Sequence, residues 1–261
     1  YPIPFHHLLK WITLEYRNQQ SIFGIPAGNF YLTPGPRRIK IGDQYCERPL
    51  GLAAGPHTQM TQNIVAAFLT GARFFELKTV QTIDDLEIPK PCISAEIEGY
   101  NTEWSTELSV PQAFDEYLKA WLLIPYVKML LAGSFSNPAG GFVFNMSVGY
   151  DLAGIRSPKI DRFIESMKSA CPKDAVRRAA QIPQFGEYLS ILGEELKHAG
   201  YAAFDSDEVI SPHISSSITL STMHGCPPDE IEAIARYLIS EKHLHTSIKL
   251  NPTLLGYDFV R

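Results

Sequence analysis

Short apolar runs with the character of β-strands alternate with helical patterns over most of this 261-residue chain. Such alternation is typical of parallel βαβ units, in which a helix connects each strand to the next by a right-handed crossover. Five runs are apolar and short enough to be strands that are buried on both faces. They cover residues 49–55, 73–80, 141–148, 216–222 and 246–250. The pattern predicts an α/β protein with a parallel sheet.

Helical patterns fill most of the segments between these strands. Apolar residues recur there at helical spacing, and Gly71 predicts the end of the first helix. Pro125 predicts a kink in the second helix and Pro183 an interruption of the fourth. The predicted helices cover residues 58–70, 110–131, 158–170, 174–198 and 227–242.

Other elements precede the first strand of the alternating region. A helix is predicted over residues 5–17, and the stretch over residues 21–34 is expected to be irregular. Two β-like runs, residues 37–41 and 48–52, flank Gly42-Asp43-Gln44 and predict a hairpin. The length of the chain suits one α/β barrel, which takes about 250 residues, or two smaller domains.

The charge and cysteine content exclude several classes of protein. Acidic residues outnumber basic ones by 28 to 23, and the one basic run, residues 37–40, is typical of a solvated strand edge rather than a nucleic-acid surface. No apolar run approaches the roughly 18 residues of a membrane span, and the start lacks a secretory signal. The four scattered cysteines indicate neither a zinc site nor a cysteine-ligated iron–sulfur cluster. We expect a cytoplasmic protein that binds no nucleic acid.

Two lysines stand near the C-terminal ends of strands, where parallel α/β folds bind their ligands. Lys78 closes the second strand and Lys249 the fifth. Burial of a lysine is costly unless an anion or acceptor meets it, and for Lys78 the alternative is a pair with Glu76 or a side chain that extends outward to water. Two such lysines at one end of a barrel, its mouth, predict a positively charged site. Such a site suits a cofactor that becomes anionic on reduction. Ala54 and Gly55, after the first strand, form either a platform for a flat ring or a tight turn.

Hydrogen-bonding groups and one thiol stand at the ends of the third and fourth strands. Asn145 lies on the third strand, and Ser221 and Thr222 close the fourth. Cys226 precedes a predicted helix, whose dipole is expected to lower the thiol pKa, so Cys226 is either a reactive thiol or an inert capping residue. His224 and Cys226 would give a metal only two ligands, which argues against a metal site.

Several longer motifs resemble known families. They read N-T-E-W-S-T-E at residues 101–107, F-N-M-S-V-G-Y at 144–150, L-S-T-M-H-G-C-P-P at 220–228 and K-L-N-P-T-L-L-G at 249–256. This arrangement resembles the N-terminal part of the YgfK-type selenate reductase subunit family. The runs P-L-G-L-A-A-G at 49–55 and G-A-R-F-F-E-L-K-T at 71–79 are similar to the opening of the dihydroorotate and dihydropyrimidine dehydrogenase barrels.

The resemblance implies an FMN-binding (β/α)8 TIM barrel of the dihydroorotate dehydrogenase type. Two long segments between strands, residues 81–140 and 149–215, take up much of the chain. About five of the eight strands are therefore expected, in an incomplete barrel over residues 49–261. A helix and hairpin cap is expected over residues 1–48. In these barrels the last two strands hold the FMN phosphate, and they are not among the five. Because the chain starts at Tyr1 rather than Met, we expect a piece of a longer protein, cut at both ends.

The resemblance also implies an oxidoreductase within a multidomain, NAD(P)H-linked protein that carries FAD and 4Fe-4S segments elsewhere. Hydride or electrons would pass between FMN and a small polar substrate, with the rest of the chain or redox subunits as partners. Carried over by position, the cofactor-binding residues are Ala54, Gly55, Lys78, Thr79, Asn145 and Lys249. The residues expected to face the substrate are Asn101, Ser221 and Asn251.

The catalytic positions depart from the dehydrogenase pattern. In dihydropyrimidine dehydrogenase the fourth-strand motif supplies an Asn and a Cys acid/base, whereas Thr219 and Thr222 stand here. A Thr hydroxyl does not titrate near neutrality and cannot replace a thiol in proton transfer. Cys226 and Thr222 are the candidate catalytic residues, with Cys226 as the acid or base. The alternative is a barrel that has lost its base and serves as a scaffold for electron-transfer domains.

Overall fold

The structure is a computed structural model, and it describes residues 2–31, 38–84, 94–97, 100–102, 108–131, 141–170, 183–198, 210–222, 226–250 and 258. In chain order the strands are β1 (Ser21–Ile22), β2 (Ile25–Pro26), β3 (Ile39–Ile41), β4 (Gln44–Cys46), β5 (Gly51–Leu52), β6 (Phe74–Glu76), β7 (Ser94–Ile97), β8 (Tyr100–Thr102), β9 (Val143–Val148), β10 (Ser217–Ser221) and β11 (His245–Lys249). The α-helices are α1 (Phe5–Gln19), α2 (Thr61–Leu69), α3 (Val110–Leu130), α4 (Leu152–Ile155), α5 (Pro158–Lys168), α6 (Pro183–His198) and α7 (Ile231–Arg236).

Five strands make one parallel sheet, in the order β11-β10-β9-β6-β5. Strands that are neighbours in this sheet follow one another along the chain, apart from the separate antiparallel pair of β7 and β8. This is the order in which the strands of a (β/α)8 barrel are laid down. The five predicted strands and their parallel direction are therefore confirmed.

The central strands have one apolar face and one polar face. In β10, Ile218 and Leu220 lie on one face, and Ser217, Thr219 and Ser221 lie on the other. All five side chains are buried, and β9 alternates in the same way. The predicted burial of both faces is therefore confirmed for these two strands, although one of the two faces is polar. Their polar face lines the concave side of the sheet, where a barrel holds its ligand groups.

The apolar face of the sheet packs against α3. The ring of Phe144 on β9 lies 5.4 Å from that of Trp121 on α3 and 5.5 Å from that of Phe75 on β6. Most of α3 is buried between the sheet and the helices α1, α2, α5 and α6. The helix continues through Pro125, and it is not long and apolar enough to cross a membrane, nor is any other helix in the part of the chain described.

A buried ionic network joins the starts of two helices to α3. Glu116, fully buried, accepts hydrogen bonds from the backbone N–H (2.9 Å) and the hydroxyl (2.8 Å) of Thr61, the first residue of α2. Lys119 Nζ lies 2.7 Å from Glu116 Oε1 and also donates to the carbonyl of Ile3, just before α1. These contacts attach α1 to the same core as the sheet. The division of the chain at residue 48 stays a prediction.

The predicted hairpin forms with a different second strand. Ile39 pairs with Cys46 and Ile41 with Gln44, so the second strand is β4 rather than residues 48–52. The turn between them has only two residues, and Gly42 there has a φ of 61°, which favours glycine. The tight turn ends the hairpin early and leaves residues 51–52 to begin the main sheet as β5.

Two other segments differ from expectation. The stretch over residues 21–34, expected to be irregular, contains the short antiparallel pair of β1 and β2. The helix expected over residues 227–242 is divided into a 3-10 turn (Pro228–Glu230), the α-helix α7 and a π-helical turn (Tyr237–Glu241). Pro227 precedes the 3-10 turn and Pro228 is its first residue, so both prolines lie where the chain needs no N–H donor.

Replacing Ser109 by Ala is expected to lower the free energy of unfolding by about 1 kcal/mol. Ser109 caps α3: its hydroxyl accepts from Gln112 N–H, and the Gln112 side chain accepts from Ser109 N–H at 3.0 Å. Ser190, exposed within α6, is the matched control, where Ala should be neutral or slightly stabilising. Urea denaturation of both variants checks this, and equal effects would show that the cap contributes nothing.

Candidate functional site

The chain beyond β6 carries a β-bulge beside β9. Leu77 N–H donates to the Asn145 carbonyl (2.9 Å), and Val80 N–H donates to the Ser147 carbonyl (3.0 Å). The three-residue step from Leu77 to Val80 therefore matches the two-residue step from Asn145 to Ser147. The extra residue lies at residues 78–79. A bulge redirects side chains and is common beside active sites. Here it falls on two of the predicted cofactor residues.

The bulge falls at Lys78 and Thr79 and places Thr79 at the polar face of the sheet. The Thr79 hydroxyl lies 2.8 Å from the hydroxyl of Ser147, and both residues are buried. Lys78 is only 7% exposed, and its backbone carbonyl accepts a hydrogen bond from the Tyr117 hydroxyl at 3.0 Å. An ammonium group at this depth requires an anion or several acceptors around it.

Lys249 meets a carboxylate from a strand that is not its neighbour. Its Nζ lies 3.5 Å from Oε1 of Glu76, the last residue of β6. Two strands, β9 and β10, separate β6 from β11. Neighbouring strands are about 4.8 Å apart, which would place β6 and β11 about 14 Å apart in a flat sheet. The contact shows that the sheet curls with its polar face inward, as a barrel requires.

The side chains of the third and fourth strands are held by hydrogen bonds to one another. Asn145 Nδ2 donates to the Thr219 hydroxyl (2.7 Å) and to the Met146 carbonyl (3.1 Å). The Thr222 hydroxyl donates to the Lys249 carbonyl at 2.7 Å. Thr219 and Thr222, which stand at the positions that depart from the dehydrogenase pattern, therefore both make hydrogen bonds between neighbouring strands. Ser221, a predicted substrate residue, is buried between them on β10.

The end of the first strand is a tight turn. The Thr58 hydroxyl donates to the Gly55 carbonyl (3.0 Å) and accepts from Gly55 N–H (3.1 Å), closing a 3-10 turn over Pro56–Thr58. A Cβ on Gly55 would lie 2.7 Å from the imidazole of His57, so a larger residue there would require the exposed His57 side chain to move. Ala54 is half-buried. Of the two interpretations of this segment, the turn is confirmed, and the flat-ring platform stays a prediction.

Two residues near this mouth were not among the predicted site residues. Gln81 directly follows Val80, which bridges to Val148 on β9, and it is 2% exposed. Its Nε2 has no hydrogen-bond partner within the part of the chain that the structure describes. Tyr150, just after β9, has a φ of 97°, an uncommon value that often marks functional sites. No local pattern in the sequence distinguishes either residue from an ordinary loop residue.

The expected lowering of the Cys226 pKa is wrong. Burial and the nearby carboxylate of Glu230 raise the pKa of this thiol above its ordinary value. The α-helix starts only at Ile231, and the intervening 3-10 turn ends at Glu230. The helix dipole acts within about one turn, so it does not offset the burial of the thiol and the negative charge. The catalytic role of Cys226 stays a prediction.

We expect Cys226 to react slowly with iodoacetamide at pH 7.5. A raised pKa lowers the thiolate fraction at any given pH, so the rate should climb only above the ordinary value of about 8.5. Glu230→Gln removes one of the two causes and should shift the pH profile downward. Cys46, buried in β4, is the internal control in site-resolved mass spectrometry, because Glu230 is not among the causes of its raised pKa. A Cys226 profile centred below pH 8 would contradict this assignment.

Some predicted residues cannot be placed. Asn251, a predicted substrate residue, and His224, the second candidate metal ligand, lie outside the described residues. For Asn101 the structure describes only the backbone, in β8. Within the described residues, no cluster of three or more His, Cys, Asp or Glu side chains is arranged to hold a metal ion.

A cavity of about 640 Å³ lies at the opposite end of the sheet. Its lining includes Phe142, Ser216 and Leu244, which precede β9, β10 and β11, and Gln44 of the hairpin. In parallel barrels the reactive groups lie at the C-terminal strand ends, whereas the other end serves stability. The cavity is therefore separate from the candidate site.

The sequence matches the family described as "Oxidoreductase YgfK, N-terminal TIM-barrel domain" over residues 23–261. The chain belongs to this family. It is 47% identical over 271 residues to "Putative oxidoreductase YgfK" of Escherichia coli strain K12, and equally to that of Escherichia coli O157:H7. The alignments cover all of this chain but 25% of each relative, so the chain spans a quarter of the length of these relatives.

Solved structures show a more distant likeness. The chain is similar to ligand-free type DHODH from Eimeria tenella, with a TM-score of 0.43 and 13% identity, over 98% of this chain and 71% of that one. It is similar to the same extent to DHODH from Eimeria tenella in complex with ferulenol, over 100% of this chain and 70% of that one. The expected fold class, a TIM barrel, and the assignment to an oxidoreductase family are confirmed by the sequence match.

Proposed function

We propose that this chain is the FMN-binding part of a longer, NAD(P)H-linked oxidoreductase. The observation that carries the proposal is the pair of lysines, Lys78 and Lys249, at the C-terminal strand ends of a sheet that curls with its polar face inward. Lys78 is 7% exposed, and a lysine at the C-terminal end of a parallel strand lies where such folds bind their ligands. A flavin presents carbonyl oxygens along one edge and becomes anionic there on reduction.

The residues at this mouth fit a flavin. Two lysines supply donors for an acceptor-rich ring edge, and the buried Nε2 of Gln81 is a donor without a partner among the residues described. A donor buried in this way indicates a ligand or water that completes it. Gly55 keeps the end of the first strand free of a side chain. When bound, FMN would supply the exchange of one or two electrons.

The same residues favour electron transfer over acid/base chemistry on a substrate. Thr219 and Thr222 are engaged in hydrogen bonds between strands, and neither titrates near neutrality. Cys226 is buried, and its pKa is raised, so it is a poor base at neutral pH. Cys226 and Thr222 as catalytic residues, and Asn101, Ser221 and Asn251 as substrate residues, are retained as predictions for a small polar substrate.

The remaining cofactors belong to the rest of the proposed protein. The curated relatives are four times as long as this chain, which leaves room for the proposed FAD, NAD(P)H and 4Fe-4S segments. These segments would pass electrons to or from the barrel. We propose a cytoplasmic protein whose barrel is partnered by its own chain or by redox subunits, and we include selenate among the electron acceptors to be assayed.

Anaerobic titration of the full-length protein with NAD(P)H tests this function. Bleaching of FMN absorbance, followed by recovery when a suitable acceptor is added, is the expected result. FMN that stays oxidised while other centres are reduced would overturn the electron-transfer function.

A second candidate is a barrel that only holds electron-transfer domains together. The raised Cys226 pKa and the engaged threonines favour it, because they remove the acid/base groups that a dehydrogenase needs. Cys226→Ala separates the functions further. Unchanged turnover would exclude Cys226 as the acid or base, and turnover without any change in the FMN spectrum would favour the scaffold.

A further inference from the structure

The contact between Glu76 and Lys249 crosses the interior of the curled sheet. Glu76 ends β6, and its side chain is 13% exposed, whereas Lys249 ends β11 and is 40% exposed. The two residues are 173 positions apart in sequence, and two intervening strands separate them in the sheet. An ion pair on the surface contributes little to stability, but in this pair the Glu76 carboxylate is largely shielded from water.

Other carboxylates near these strand ends serve different partners. Asp84 pairs with Lys159 and accepts from the N–H of Val110 at the start of α3. Asp151 caps α4, and Glu230 accepts from the N–H of Leu152. Glu76, in contrast, contacts Lys249, one of the predicted cofactor lysines.

This arrangement makes the charge at the flavin edge smaller than two lysines alone would give. A carboxylate 3.5 Å from the ammonium group offsets much of its field at a partly buried site. We propose that Glu76 is the counter-ion of Lys249 in the flavin site, and that the pair sets how strongly the site favours reduced over oxidised flavin. The inference rests on the proposed function and adds a positioning residue that neither the family resemblance nor the lysines themselves specify.

Glu76→Gln is the variant that isolates the charge. Gln keeps the length and one acceptor oxygen for Lys249, so the lysine stays in place while the negative charge is lost. The ratio of affinities for reduced and oxidised FMN should then rise about tenfold, which is about 30 mV upward in midpoint potential for a two-electron couple. Glu76→Asp keeps the charge and should stay within threefold of the native ratio.

Spectroelectrochemical titration of the FMN in the full-length protein measures this ratio. Glu232→Gln is the matched control, because Glu232 is exposed on α7, pairs with Arg236 and should leave the potential unchanged. If Glu76→Gln does not fold, Glu76→Ser serves as a second neutral variant, and the ratio of affinities for reduced and oxidised FMN should rise in it as well.

The outcomes are distinct. A flavin-loaded Glu76→Gln protein with a ratio within twofold of the native one, or with a lower potential, overturns the inference and leaves the proposed function intact. A folded Glu76→Gln protein without flavin also overturns the inference, because the loss of a negative charge from the site should not weaken the binding of an anionic cofactor. A native full-length protein without FMN refutes the proposed function, and the inference with it.

Discussion

Replacing Arg73 by Met is expected to lower the free energy of unfolding of the barrel domain by about 3–5 kcal/mol. The Arg73 side chain is fully buried, and its Nε donates to Glu47 Oε2 at 3.0 Å. Its other nitrogens donate to the carbonyls of Phe68 and Ala72, both at 2.8 Å, and of Tyr31 at 3.1 Å. Met fills similar space but leaves the buried Glu47 carboxylate and three carbonyls without these donors.

Urea denaturation followed by the fluorescence of the buried Trp121 measures this loss. Arg236→Met is the matched control, because Arg236 and its partner Glu232 are both 76% exposed, and exposed pairs contribute about 0–1 kcal/mol. The double variant with Met at both 73 and 47 should recover part of the loss, since the Glu47 carboxylate is then not left buried without Arg73. A cost below about 1 kcal/mol for Arg73→Met would contradict the role assigned to this ion pair.

The second large effect concerns the cofactor. Replacing Lys78 and Lys249 together by Met is expected to weaken FMN binding at least about 100-fold, because two hydrogen bonds from charged donors are lost at about 1.5–3 kcal/mol each. Titration of the flavin-depleted full-length protein with FMN, followed by quenching of flavin fluorescence, measures the change. The matched control replaces the exposed Lys10 and Lys197, which alters the net charge equally and should leave the affinity unchanged. Equal affinities for FMN in the two double variants would show that Lys78 and Lys249 do not bind the cofactor.

Much of the fold follows from local sequence patterns. The strands β9 and β10 and the helices α2, α3 and α5 lie where the apolar spacing and the glycine and proline positions predict them. The hairpin partner was missed because a two-residue turn at Gly42–Asp43 sets the register, so that Gln44, expected in the connection, begins the second strand. The pair β1 and β2 has two residues per strand, which is too short for any periodicity to show.

The site was predictable only in part. Lys78 and Lys249 are singled out by a topological rule, since parallel strands bring their C-terminal ends together. The partner of Lys249 depends on how strongly the sheet curls, and no local pattern encodes a contact across 173 positions. The Cys226 pKa was mistaken because the start of a helix was assumed to be α-helical. The 3-10 turn at Pro228–Glu230 moves the dipole away and places a carboxylate beside the thiol.

The flavin content of the purified full-length protein tests the proposed site most directly. Release of the bound flavins and their separation by chromatography distinguishes FMN from any FAD held elsewhere. The site predicts about one FMN per chain in the native protein, loss of this FMN when Lys78 and Lys249 are replaced by Met, and retention when Lys10 and Lys197 are replaced. A folded native protein without FMN, or full retention of FMN without Lys78 and Lys249, would contradict it.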